Sequence, residues 1–229
     1  MSGFDFAAVT DSLGYLFFTG MAFTLQLTVL AMAGGVLIGT MLALLRLSGL
    51  RLLAGAAGLY VNTIRSIPLV LVIFWVYFLV PYLGAWLSGS SEPAKVGPFA
   101  SSLLTFVLFE AAYYCEIMRA GIQSIPRGQL AAAQALGMNY RQMMGNVVLP
   151  QAFRNMLPLL LTQTIVLFQD VSLVYVLSLT DFVGAASKIA HRDGRLVEMY
   201  VFVALVYFVM CFGLSTLVKR LHRKLAILR

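Results

Sequence analysis

The chain alternates between long apolar stretches and short polar ones. Residues 12–45, 66–91 and 199–218 contain no Asp, Glu, Lys, Arg or His. About 20 consecutive apolar residues carry a helix across a bilayer, where backbone polar groups must be satisfied within the protein. Five spans follow, at 20–45, 66–87, 99–118, 155–180 and 199–218. The third carries Glu110 and Glu116 and the fourth carries Asp170, so these two are less uniformly apolar. An outer-membrane barrel needs segments of about ten residues with alternating hydrophobicity, and the chain has none. The expected fold is all-α and polytopic. It forms a single membrane domain over 1–229 with its core at 20–218, unbroken by repeat, low-complexity tract or linker.

The polar segment between the third and fourth spans predicts two short helices in a bent pair. Ser124 is placed to cap the first, with Pro126 tolerated in its opening turn. Ala131, Ala132, Ala133 and Ala135 favour helix and present little bulk. Gly137 suits the left-handed conformation that closes a helix. Asn139 and Gln142 have capping-box spacing for the second helix, and Pro150 leads into the fourth span. A helix lying flat on the membrane needs a large apolar face, which an alanine-rich helix supplies poorly. A groove on another protein is the better fit.

Composition and charge sharpen this picture. The chain is 61% hydrophobic and 11% charged, against about 25% charged in ordinary soluble domains. If the spans alternate, one side holds Arg46, Arg51, Arg65, Arg119, Arg127, Arg141, Arg154, Lys219, Arg220, Arg223, Lys224 and Arg229, twelve of the sixteen basic residues. The other side holds Lys95, Lys188, Arg192 and Arg195. The positive-inside bias then puts the N-terminus outside and the C-terminus in the cytoplasm. It accounts for the net charge of +7 without nucleic acid; the basic tail suits anionic lipid. The first 19 residues carry Asp5 and Asp11 and no basic residue, unlike the cationic start of a signal peptide.

The run Gly128-Gln129-Leu130-Ala131-Ala132-Ala133-Gln134-Ala135-Leu136-Gly137, followed by Val147-Val148-Leu149-Pro150, resembles the cytoplasmic coupling loop of ABC importer permeases. Arg65-Ser66-Ile67-Pro68-Leu69 resembles the approach to the second span in polar amino acid permeases, and the stretch from Glu116 to Gln129 resembles their approach to the loop. Ser172-Leu173 stands where the family has a Ser-Leu motif. Phe109-Glu110-Ala111-Ala112-Tyr113-Tyr114 and the stretch from Ile165 to Asp170 are most similar to the glutamate/aspartate importer permeases.

The resemblance implies a non-catalytic permease subunit of the bacterial inner membrane, working by alternating access. Its implied partners are ATP-binding cassette subunits that use ATP and Mg, an amino-acid-binding protein outside, and a second homologous permease chain. The implied coupling residues are Gly128, Gln129, Ala131, Ala132, Ala133, Gly137 and Met138. Three positions depart from the pattern: Ala131 replaces a frequent Glu, Asn62 a frequent acid and Gln169 a frequent Lys. The last two alter charge near the implied pore, so another polar amino acid such as glutamine stays an alternative cargo.

Charges at mid-bilayer cost at least ~2.5–3.5 kcal/mol on insertion scales, so they normally face protein or water. Glu110, Gln163, Gln169, Asp170 and Ser172 are the candidate pathway residues. A carboxylate repels an acidic cargo's side chain yet can pair with its ammonium group. Interhelical hydrogen bonding is the competing role for the glutamines. Glu116 and Arg119 share a helix face and read as a structural ion pair. Gly35 and Gly39 allow close helix approach, within this chain or between chains. Cys115 and Cys211 read as small hydrophobes, and no metal spacing links His191 and His222. No P-loop, His-Glu-x-x-His or Gly-x-Ser-x-Gly marks an enzyme. An ion-coupled secondary carrier is the remaining rival; the coupling-like loop and lack of an inverted repeat weigh against it.

Overall fold

The computed structural model describes residues 7–90, 92–93 and 96–225. Lys95 and Arg229, which enter the charge bias, and Asp5, which enters the reading of the N-terminus, lie outside the described residues. Among those described, all regular structure is helical. Five helices are long and apolar enough to cross a membrane: Leu13–Leu47, Leu69–Ser88, Pro98–Gln123, Tyr140–Leu177 and Leu196–Lys224. These are the five expected spans: the first, third and fifth run past both expected ends, the second starts three residues later than expected, and the fourth starts fifteen residues earlier and ends three earlier. The fold is that of a multi-pass membrane protein.

Two further helices lie between spans. Arg51–Arg65 joins the first to the second, and Phe182–Asp193 joins the fourth to the fifth. Both are too short to be found by searching for bilayer-length apolar runs, and the second is also interrupted by charge. Asp181 caps the latter by accepting hydrogen bonds from the Val183 and Gly184 amides, each at 3.0 Å. Phe182–Asp193 folds back against the first span at Gly20, where an added Cβ would stand 2.9 Å from Ala185 Cβ and 3.0 Å from Phe182 Cα. Thr24 completes the junction: its hydroxyl accepts from the Phe182 amide at 3.0 Å and donates to the Gly20 carbonyl at 3.1 Å.

The first and third spans form the closest pair. A Cβ on Gly35 would meet Glu110 Cβ at 3.0 Å, and one on Gly39 would meet the Ala111 carbonyl and Tyr114 Cβ at 2.9 Å. The contact register advances together along both helices, so the two spans run in the same direction, as the single span between them requires. The small-residue spacing at 35 and 39 therefore serves packing within this chain.

Three apolar clusters fill the span region. Leu27, Phe106, Phe109, Leu167 and Val174 hold spans one, three and four together with Ile73 of the second. Ala43, Val61, Ala112 and Cys115 join the Arg51–Arg65 helix to spans one and three. Phe182, Ala186, Met199 and Val203 hold the Phe182–Asp193 helix to the fifth. Cys115 and Cys211 are both free and buried.

Candidate functional site

The loop between spans three and four differs from expectation in two respects. Arg127–Ala135 is a separate helix, but the second loop helix, Tyr140–Met143, continues into the fourth span through a π-helical turn at Met144–Val148. At 38 residues the continuous helix is about 57 Å long. That exceeds the ~30 Å hydrocarbon core, so its first turns belong to the loop. Pro150 sits at the start of the next α-helical segment, where a missing amide is tolerated.

Ser124 is also corrected. It ends the third span instead of opening the loop helix, and its hydroxyl donates to the Gly121 carbonyl at 2.8 Å. Asn155 Nδ2 donates to that hydroxyl at 2.9 Å, pinning spans three and four at the loop. The N-cap of the loop helix is Pro126, without a side-chain cap.

The rest of the loop follows its local sequence. Gly137 is left-handed at φ +74°. Its amide donates to the Gln134 carbonyl at 2.9 Å and the Met138 amide to the Ala133 carbonyl at 3.1 Å, the paired bonds of a Schellman closure. The Asn139–Gln142 capping box is complete, with both reciprocal bonds at 3.0 Å. Ala133 is buried against Ile125, Met143, Val148 and Ala152, with Leu130 and Met138 packed around them. That small core anchors one face of the loop helix. Gly128, Gln129, Ala131 and Ala132 stay exposed on the other, and the exposed Leu136 and Tyr140 stand beside them.

Behind the loop lies a charge cluster. Glu116 accepts from Arg119 Nη2 at 2.7 Å and Nε at 3.0 Å, the expected pair. Arg46 Nη1 donates to its other oxygen, and Arg65 Nη1 stands 4.0 Å from it. Arg65 also lies over the Tyr113 ring, 5.2 Å from its centroid. One carboxylate thus faces three guanidiniums drawn from the ends of three helices. Arg119 hydrogen-bonds onward to Gln123, toward the loop. Arg46 and Arg65 were not legible as partners, because nothing local in sequence relates them to Glu116.

The pathway candidates divide into two groups. Glu110 is fully buried, and Gln163 Nε2 donates to its two oxygens at 3.1 and 3.2 Å. Tyr114 and Thr164 exchange a hydrogen bond at 3.0 Å one turn along. Together these form a polar seam between spans three and four. Gln169 is exposed, and Asp170 and Ser172 are half-buried, where the α-helix gives way to a 3-10 turn over Val171–Leu177. Among the described residues no hydrogen bond or ion pair engages the Asp170 carboxylate. Among them, too, no cluster of His, Cys, Asp or Glu is arranged to hold a metal.

This architecture, five apolar helices around a polar seam with one small-residue helix held outside them, defines a multi-pass membrane transport domain. The chain belongs to the family of binding-protein-dependent transport system inner membrane components, which it matches over residues 35–227. It is 53% identical over 226 residues to the glutamate/aspartate import permease protein GltK of Escherichia coli O157:H7, covering 99% of this chain and 100% of that one. The arginine transport system permease protein ArtQ of Bacillus subtilis is 32% identical, over 96% of this chain and 97% of its own. A crystal structure of an amino acid ABC transporter with histidines superposes with a TM-score of 0.86 at 32% identity, over 96% of this chain and 98% of that one. The inward-facing MetNI methionine ABC transporter shares the fold, with a TM-score of 0.71 at 18% identity.

Proposed function

We propose that this chain is the permease subunit of an ATP-driven importer for glutamate and aspartate, working by alternating access. The observation that carries the cargo is the near end-to-end likeness to a glutamate/aspartate import permease, in a chain whose Glu110 and Asp170 segments bear the same resemblance. A separate ATPase uses ATP and Mg, a binding protein delivers cargo outside, and a second homologous permease completes the pathway. The residues that meet the ATPase are Gly128, Gln129, Ala131, Ala132, Ala133, Gly137 and Met138. Their support is the exposure of a low-bulk helix face on a fixed core. At the pathway, Asp170 has open hydrogen-bonding capacity beside exposed Gln169, and Ser172 follows. Glu110 acts through Gln163 as a positioning pair, because its carboxylate is closed off.

The deciding experiment is uptake of labelled glutamate, glutamine and arginine by the reconstituted complex with its own binding protein. Glutamate or aspartate should be taken up in preference, and preference for arginine would overturn the cargo. The charge bias supports an N-terminus outside and a C-terminus in the cytoplasm. A cysteine at Gly89 should then react with an impermeant thiol reagent added outside and one at Lys219 should not; the reverse pattern rejects this orientation.

A further inference from the structure

A groove of about 310 Å3 opens between the first, fourth and fifth spans, lined by Leu25, Leu161, Phe168, Leu214, Leu217 and Leu221 among others. Its hydroxyls come from Thr28 and Thr164, and both donate to carbonyls of their own helices, at 2.7 Å to Thr24 and 3.0 Å to Leu160. Nothing there recommends the groove to a polar cargo. Leu217 and Leu221 also line a second hollow of about 500 Å3, whose other walls are Arg220, Arg223 and Lys224. The two spaces therefore adjoin, sharing Leu217 and Leu221 on one stripe of the fifth span. Positions 214, 217, 221 and 224 recur at three- and four-residue intervals on one helix face. Over about 15 Å the lining passes from apolar to cationic.

We propose that these two adjoining spaces together form a site for one anionic phospholipid. An acyl chain lies between spans one, four and five, and the headgroup phosphate sits on Arg220, Arg223 and Lys224. The leaflet is the cytoplasmic one, which follows from the proposed orientation; the site itself stands on the groove and not on the cargo. Among the described residues no ion pair or hydrogen bond engages those three cations. Guanidiniums bind phosphate oxygens in bidentate fashion, and an ammonium adds a point charge. A second copy of this chain in an isologous contact would bring the same cations against themselves, so charge complementarity favours an anionic occupant. Free phosphate would use the rim and leave the apolar groove unfilled.

The test is native mass spectrometry of the complete complex, released from detergent after exposure to phosphatidylglycerol or to phosphatidylcholine with the same acyl chains. The wild-type complex should retain phosphatidylglycerol preferentially. The R220Q/R223Q/K224Q variant should lose that preference by about fivefold or more, as expected from removing cations at a membrane surface. L217W fills the groove and leaves every charge in place, and it should also lower retention. R220K/R223K should keep it, and excess glycerol 3-phosphate should not displace the lipid. Equal retention of the two lipids by the wild type overturns the site. So does wild-type retention in L217W, which would reduce the effect to diffuse attraction by the tail. A cross-link from a photoreactive group at position 214 to another polypeptide, in place of lipid, would assign the groove to a protein interface instead. If the triple glutamine variant fails to assemble, the lipid comparison and L217W decide.

Discussion

Arg46 and Glu116 lie 70 residues apart in the chain and are joined directly, Nη1 to Oε1, so the C-terminal end of the first span is fastened to the third. Arg119 holds the opposite oxygen at 2.7 Å. The carboxylate is thus the common partner of a cluster that otherwise carries three like charges.

Glu116→Gln should therefore destabilise the protein more than loss of any one arginine. A charge-assisted hydrogen bond contributes about 1.5–3 kcal/mol, and the substitution weakens several while leaving the guanidiniums to repel. Thermal unfolding of the purified protein in detergent should show the loss. A midpoint equal to wild type would mean that the cluster is a solvated surface feature.

Glycines at 39 and 55 should respond in opposite directions. A methyl at Gly39 meets the Ala111 carbonyl and Tyr114 Cβ at 2.9 Å, whereas one at Gly55 meets nothing within 4 Å. Gly39→Ala should cost about 1–3 kcal/mol by overpacking. Gly55→Ala should be neutral or stabilise the Arg51–Arg65 helix by about 0.5–1 kcal/mol. Equal melting temperatures for both variants would contradict the close approach of spans one and three.

Asp181 should make stability fall as pH rises. Burial pushes its carboxyl up to about 6, against the opposing hydrogen bonds from the Gly184 and Val183 amides and the charge of Lys188. Its unfolded value is about 3.9, so between the two the folded state binds more protons than the unfolded one. Linkage then makes stability decrease across that window, and the deficit is complete above the folded value. Asp181→Asn preserves a capping acceptor and should flatten this part of the profile. Melting temperatures from pH 4.5 to 7 test it; an unchanged slope in the variant would remove Asp181 as the source.

Asp170→Asn should lower uptake severalfold while leaving the binding protein's affinity for its cargo untouched, because soluble capture precedes the membrane step. The half-buried carboxylate without a hydrogen bond is the motive. Uptake by proteoliposomes at saturating binding protein decides, and wild-type flux would take Asp170 out of the pathway.

What was legible in the sequence was local or periodic. Uncharged or nearly uncharged apolar runs marked the five spans, because only a helix or a closed barrel satisfies a backbone in lipid and no barrel pattern was present. Gly137 and the Asn139–Gln142 box were legible because helix closure and capping act over three to five residues. The Glu116–Arg119 pair was visible for the same reason. Arg46, Arg65, and the Thr24–Phe182 bond were not, since tertiary packing alone brings them together. The Arg51–Arg65 helix escaped because its uncharged interior is too short to span a bilayer, and the Phe182–Asp193 helix because it is short and broken by charge. Ser124 was misread because a serine in Ser-x-Pro can end one helix as readily as begin another. Here it bonds back to Gly121. Burial of Glu110 against Gln163 was equally illegible, because it depends on which faces of spans three and four meet.

The coupling contact is tested most directly by binding-protein-stimulated ATP hydrolysis in the reconstituted complex carrying Ala132→Asp. Ala132 is exposed on the loop helix, while its neighbour Ala133 holds that helix to its core, so the new charge changes the docking face without disturbing the fold. Gly137→Val is a less clean probe, since its left-handed backbone at φ +74° disfavours a β-branched residue. The Ala132→Asp protein should reach the membrane and melt like wild type, but lose stimulation of ATP hydrolysis. Full stimulation in that variant would contradict the assignment of this helix as the contact through which the ATPase drives transport.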